Sequence, residues 1–142
     1  MRKDFHMAQI TVTAILGNLP VVTQFIEEQL EMADCPMKAM MQIDTAADEI
    51  YSNISYYAYP KDAPGEAVIS VDVDLAVPEA VITFEDTGVA FDPLSIGQPD
   101  TSLPAEDRVA GGLGIFLVRK LMDDVTYKRE NQKNILQLRK KW

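Results

Sequence analysis

Hydrophobic and polar positions change period several times along the chain, and each change predicts an element. Ala67, Ile69, Val71, Val73 and Leu75 alternate with Val68, Ser70, Asp72 and Asp74. A period of two places one set on a buried face, so this segment reads as a half-buried strand. Val81 to Glu85 reads as a second strand and as its neighbour, with Pro78 between them. Upstream, Gln9 to Leu16 is rich in Ile, Val and Thr and reads as a first strand, ended by Gly17. Asn18 is placed to cap the following helix, and Pro20 is tolerated in its first turn. Val22, Phe25, Ile26 and Leu30 then recur at helical spacing, which predicts an amphipathic helix over 19–33. Cys35-Pro36 breaks it. A second helix is predicted from Met37 to Tyr59, stopped by Pro60, with Met40, Ile43, Ala47, Ile50, Ile54 and Tyr57 on one stripe. A third runs over Leu113 to Met122. Val125–Arg129 and Asn134–Arg139 read as strands joined through Asn131-Gln132-Lys133, a hairpin pattern.

One stretch has no sustained period. Residues 91–111 hold Pro93, Gly97, Pro99 and Pro104, and loops this long inside a compact domain are commonly functional lids. We assign the lid to 92–111 and the whole chain, 1–142, to a single domain, since no repeat or linker divides its 142 residues. Composition changes the picture mainly by exclusion. With 47% hydrophobic and 25% charged residues the chain is an ordinary globular sequence, able to bury a core without cross-links. One Cys and one His exclude an internal disulfide and make a zinc cage untenable. A net charge of -9 argues against a phosphate-backbone partner such as nucleic acid. No run is apolar enough to span a membrane, and the charged, polar start lacks a leader pattern, so a cytoplasmic protein is expected.

Three segments carry candidate chemistry. Glu49 and Asn53 are four apart on the second helix and stack at the edge of its apolar stripe, where a carboxylate and a carboxamide can offer oxygens to Mg²⁺ or a base. Phe84-Glu85-Asp86-Thr87-Gly88-Val89-Ala90-Phe91-Asp92-Pro93 ends a strand on Asp86, and an acceptor-only carboxylate there can receive a purine's exocyclic amine. Gly88 beside it permits close backbone approach. Gly111-Gly112-Leu113-Gly114 opens an apolar helix, and glycines at a helix start let backbone amides approach an anion. The Gly-Lys-Ser/Thr of a Walker loop is missing, and the glycines come too late for a dinucleotide fingerprint.

Taken in order, this layout resembles the GHKL-type ATPase superfamily. Within it the chain is most similar to the small bacterial anti-sigma factor serine kinases. The segments Asp86 to Pro93 and Gly111 to Asp123 carry the likeness, which covers nearly the whole chain after its first residues.

The resemblance implies a two-layer α/β (α+β) sandwich: a mixed, largely antiparallel sheet covered on one face by helices, the Bergerat-type ATP-binding fold. It implies ATP and Mg²⁺ as cofactors, Glu49 as general base and Asn53 as the Mg²⁺ ligand. Asp86 would read adenine beside Gly88, and the amides of Gly112, Leu113 and Gly114 would hold phosphates. It implies a serine/threonine protein kinase that phosphorylates an anti-sigma antagonist protein and otherwise holds a sigma factor. Family members often dimerise, and the first strand is the element a homodimer would use. The alternative is a non-catalytic nucleotide-binding module whose partner affinity depends on ATP or ADP. Two departures bear on it: Tyr56 and Tyr57 stand where relatives often carry a basic residue and a His, and Ala90 replaces a common glycine.

Other residues receive plainer expectations. His6 sits near a frayed end and Cys35 is a packing residue. Met32, Met37, Met40 and Met41 fill core, and Arg139, Lys140 and Lys141 form a solvated tail. Arg108 in the lid is a candidate phosphate partner.

Overall fold

A computed structural model of the protein describes residues 4–95 and 112–142. Five strands and three helices follow in the order β1 (Phe5–Thr13), α1 (Leu19–Met32), α2 (Met37–Tyr57), β2 (Glu66–Asp74), β3 (Glu79–Asp86), α3 (Gly112–Leu121), β4 (Asp124–Glu130) and β5 (Lys133–Lys141), with short 3₁₀ turns at Leu16–Asn18 and Pro93–Ser95. The strands form one sheet in the order β1-β2-β3-β5-β4, and all four pairings are antiparallel. The helices cover one face, giving the expected two-layer α+β sandwich, with a sheet that is antiparallel throughout where a mixed, largely antiparallel one was expected.

The alternation in β2 settles which face is covered. Ala67, Ile69, Val71 and Val73 are completely buried, while their neighbours stay half-exposed on the open face. Ile82 and Phe84 of β3 and Leu136 and Leu138 of β5 continue this inner surface. Ile26 and Leu30 of α1, Ile43 and Ile50 of α2, and Ile115 and Val118 of α3 pack onto it from the helical layer. Each of these side chains contributes roughly 1.5–3 kcal/mol on leaving water.

Several boundaries differ from the sequence reading. The first strand begins at Phe5 and ends at Thr13, because its partner β2 begins at Glu66 and offers no pairing further on. His6 is therefore in the ladder, opposite Val73, and its Nε2 lies 2.7 Å from Gln29 Oε1 of α1. Asn18 does not cap α1 with its side chain; Nδ2 donates instead to the Thr13 carbonyl at 2.8 Å. On α2, Tyr57 lies outside the buried stripe, and Tyr51, which the stripe omitted, is fully buried. Its hydroxyl donates to the carbonyls of Thr13 (3.1 Å) and Ile15 (2.7 Å), just beyond the strand's end. Of the four methionines only Met40 is core; Met32, Met37 and Met41 are each more than 60% exposed, since they flank the α1–α2 corner. Arg139, Lys140 and Lys141 belong to β5, and the Lys140 ammonium donates to the Leu121 carbonyl at the end of α3 (2.8 Å). Cys35 packs as expected; burial and then the charge of Asp44 push its thiol up to about 11, so no thiolate nucleophile forms there.

Candidate functional site

The C-terminal end of α2, the end of β3 and the β4–β5 hairpin enclose a narrow, partly open cleft. Its walls are apolar, from Ile50 and Ile54 on α2 to Phe84, Val89 and Phe91. Its polar groups are few: Asn53, Asp86, Tyr127 and Asn134. Two of these come from the sequence reading and two do not.

Asp86 is the last residue of β3, and it is buried. Oδ1 accepts from the Gly88 N–H at 2.9 Å, an Asx turn that folds the chain back over the strand end. The same oxygen accepts from Asn134 Nδ2 at 2.9 Å. Gly88 is obligatory here: a Cβ on it would overlap the Ala58 carbonyl at the end of α2. The turn is held against α2 by the Val89 N–H, which donates to that carbonyl at 2.9 Å. Tyr59 adds a second link, because its hydroxyl accepts from the Thr87 N–H (2.8 Å) and donates to the Glu66 carbonyl (2.6 Å).

Asn53, almost fully buried on α2, faces the same cleft. Glu49 is one turn nearer the helix N-terminus and lies outside the apolar cleft, where α3 begins. Gly114 is pressed against it: a Cβ there would fall on the Glu49 carboxylate. So the structure brings Asp86, Gly88 and Asn53 together and sets Glu49 beside the α3 start that contains Gly112, Leu113 and Gly114. The first amides of this ten-residue helix have no intrahelical partner and carry the positive end of its dipole. Residues 96–111 of the expected lid, with Arg108 and Gly111, lie outside the described residues.

The carboxylates of α2 share an electrostatic condition. Burial, then the charge of Asp48, raises the Glu49 pKa. Burial raises Asp48 as well, partly offset by a hydrogen bond from Thr23. Asp44 is pushed up to about 7 by burial, by a hydrogen bond with Glu27, and by the charges of Glu27 and Asp48. Among the described residues no three or more His, Cys, Asp or Glu side chains gather into a metal cage. A divalent cation here would depend on an oxygen such as that of Asn53 together with ligand oxygens, which is the usual habit of Mg²⁺.

Tyr56 and Tyr57, at the places of the expected basic pair, run outward from the cleft mouth as aromatic contacts. Their centroids are 6.1 Å apart, and Tyr57 lies 5.8 Å from Phe91. Sequence reasoning missed Asn134 and Tyr127. The available clue is that Asn134 occupies an inward position of a strand whose other inward positions are Leu136 and Leu138. A buried amide there must be hydrogen-bonded.

Known proteins share this architecture. The Serine-protein kinase RsbW of a Bacillus cereus strain and that of Bacillus thuringiensis subsp. konkukian are each 33% identical over 95 residues, covering 64% of this chain and 58% of the relative. The chain thus spans less than two thirds of those relatives. Among solved structures, the RsbU and RsbW domains of a Mycobacterium tuberculosis protein superpose with a TM-score of 0.68 at 14% identity, over 96% of this chain and 32% of that one. The SiaB–SiaC complex from Pseudomonas aeruginosa gives a TM-score of 0.57 at 13% identity, over 94% of this chain and 88% of the other. At these identities the two structures speak for the fold alone. A family model described as the histidine kinase-like ATPase domain matches residues 12–140, nearly everything built around the cleft, and the chain belongs to that family.

Proposed function

We propose that the cleft binds ATP and that the protein is an anti-sigma factor which transfers the γ-phosphoryl group to a serine or threonine of an anti-sigma antagonist. The observation that carries the reading is Asp86: a buried carboxylate, held by two N–H donors, at the polar end of an otherwise apolar slot. Such a group accepts hydrogen bonds and gives none, which suits adenine's exocyclic amine. Membership of the ATPase family and likeness to proteins named as serine kinases support the rest.

In this reading the chain's residues act as follows. Asp86 orients the base, and the apolar walls exclude water around it. The α3 amides bind phosphate oxygens where Gly114 lets the helix approach Glu49. Asn53 holds Mg²⁺ through its carboxamide oxygen; bound with the phosphates, Mg²⁺ would neutralise charge developing on the transferred group. Glu49 takes the proton of the attacking hydroxyl on its carboxylate. Burial, then the charge of Asp48, raises its pKa, which makes it a stronger base than an exposed glutamate. The modified partner gains roughly -1.5 to -2 charges and is repelled by an acidic surface such as this one, at -9 overall. The sigma factor and a homodimer are part of the same proposal.

Titration calorimetry with Mg²⁺-ATP, followed by label transfer from γ-labelled ATP to the antagonist, tests it. Asp86→Asn is expected to weaken ATP binding by about 10- to 100-fold, the loss of a charged acceptor. Unchanged affinity would remove the assigned base site. A second reading, nucleotide binding without turnover, is favoured by the aromatic Tyr56–Tyr57 pair in place of cations. ATP affinity without label on the partner would select it.

A further inference from the structure

The β4–β5 hairpin lines the cleft with Tyr127, Leu136 and Asn134, and the Asn134 amide has all four of its hydrogen-bonding valences used. Asp86, Asn134 and Arg129 stand opposite one another across β3, β5 and β4. Asn134 Nδ2 donates to Asp86 Oδ1 at 2.9 Å and to the Val89 carbonyl at 2.8 Å. Its Oδ1 accepts from the Phe91 N–H at 3.4 Å and from the Tyr127 hydroxyl at 2.5 Å. A flipped amide would set its oxygen against a carboxylate and a carbonyl, so the network admits one orientation. Arg129 adds a bond to the Gly88 carbonyl at 2.9 Å. The hairpin therefore grips the Asp86–Phe91 turn from the side opposite α2.

We propose that Tyr127, acting through Asn134, is a positioning residue that aims the Asp86 carboxylate at the base and so sets selectivity for a purine with an exocyclic 6-amino group. This rests on the reading of the cleft as the ATP site. The chain of cause is short. The Tyr127 O–H holds the Asn134 carboxamide, which is left with its two N–H groups pointing at Asp86 and Val89. One of these fixes Asp86 Oδ1 in place together with the Gly88 N–H. The Tyr127 hydroxyl is the donor in its bond to Asn134, and burial raises the phenol's pKa. Without that hydroxyl the amide has one firm acceptor contact fewer, and Asp86 gains freedom to rotate away from an incoming amine. A purine lacking the amine does not use that carboxylate and should not notice.

Tyr127→Phe keeps the ring that lines the cleft and removes only the hydroxyl. Binding of Mg²⁺-ATP and of purine riboside triphosphate, which lacks the 6-amino group, is to be measured by titration for wild type and variant. The expected result is that ATP binding weakens about fivefold, the value of one hydrogen bond, with the purine analogue unchanged. Asn134→Ala should move the same ratio further, and Lys128→Ala, on the same strand but exposed, should leave it alone. Equal weakening of both nucleotides in Tyr127→Phe would make the residue merely structural and overturn the inference, as would an unaltered ratio. Wild-type protein that binds neither nucleotide would overturn the ATP-site reading itself, a different and separable failure.

Discussion

The middle of α2 and its C-terminal end face opposite electrostatic conditions. Beside its C-terminal end, the Asp86–Phe91 turn is bound from both sides: Ala58 and Tyr59 on one flank, Asn134 and Arg129 on the other. There buried polar groups meet partners of matching kind. Along its middle turns, Asp44, Asp48 and Glu49 all have raised pKa values, and Asp44 Oδ1 is buried with no hydrogen-bond partner among the described residues. The first region is preorganised for a neutral, directional contact. The second stores negative charge that a proton or a cation relieves. In the proposed reading, a base would meet geometry already in place, whereas the charged end would be completed by what binds to it.

The contrast can be broken most sharply at Glu49. Glu49→Gln removes the proposed proton acceptor while keeping size, so phosphoryl transfer to the antagonist should fall about 10²- to 10⁴-fold with ATP affinity nearly unchanged. Label transfer and calorimetry on one preparation separate the two. Equal loss of binding would mean that Glu49 serves the ligand rather than the proton.

At the opposite end, Gly88→Ala forces a Cβ into the Ala58 carbonyl, and backbone cannot yield as a side-chain tip can. We expect a loss of about 1–3 kcal/mol, a fall in melting temperature of several degrees, with the β3 end loosened. Thermal unfolding checks it, and an unchanged melting temperature would show that the turn tolerates displacement from α2.

The smallest effect sharpens the charged stretch of α2. Asp44 has a folded pKa of about 7 against 3.8 for the free group, so the native state binds more protons than the unfolded chain between those values. Stability conferred by the Asp44–Glu27 proton is complete below about pH 4 and is lost as pH rises through about 7. Asp44→Asn, which retains a donor toward Glu27, should flatten that slope and raise the melting temperature at pH 8 relative to wild type. Melting curves from pH 5 to pH 8 decide the matter, and parallel slopes would mean that the pair does not share a proton.

How far the sequence carried this differs by element. The β2 alternation identified the inner face residue by residue, because a period of two leaves each side chain only two directions. The Asp86-Thr87-Gly88 turn and the Glu49–Asn53 spacing were legible for a similar reason: short-range geometry alone relates their members. Tyr51 was not legible, since its anchors, the carbonyls of Thr13 and Ile15, are more than thirty residues away in the chain. Asn134 was hidden likewise. Nothing local distinguishes an amide after a tight turn from one that crosses to β3. The turn itself, with Asn131 and Gln132 at φ 52° and 64°, was visible only as a hairpin pattern.

Periodicity and turn chemistry, both local, by themselves determined the elements, the buried face of the central strands and the identity of the acceptor at the end of β3. Strand order, the pressing of Gly88 onto Ala58 and of Gly114 onto Glu49, and the four-bonded Asn134 were decided only by the tertiary structure. Each depends on groups that meet across tens of residues, where burial and the need to pair every polar atom select the partners.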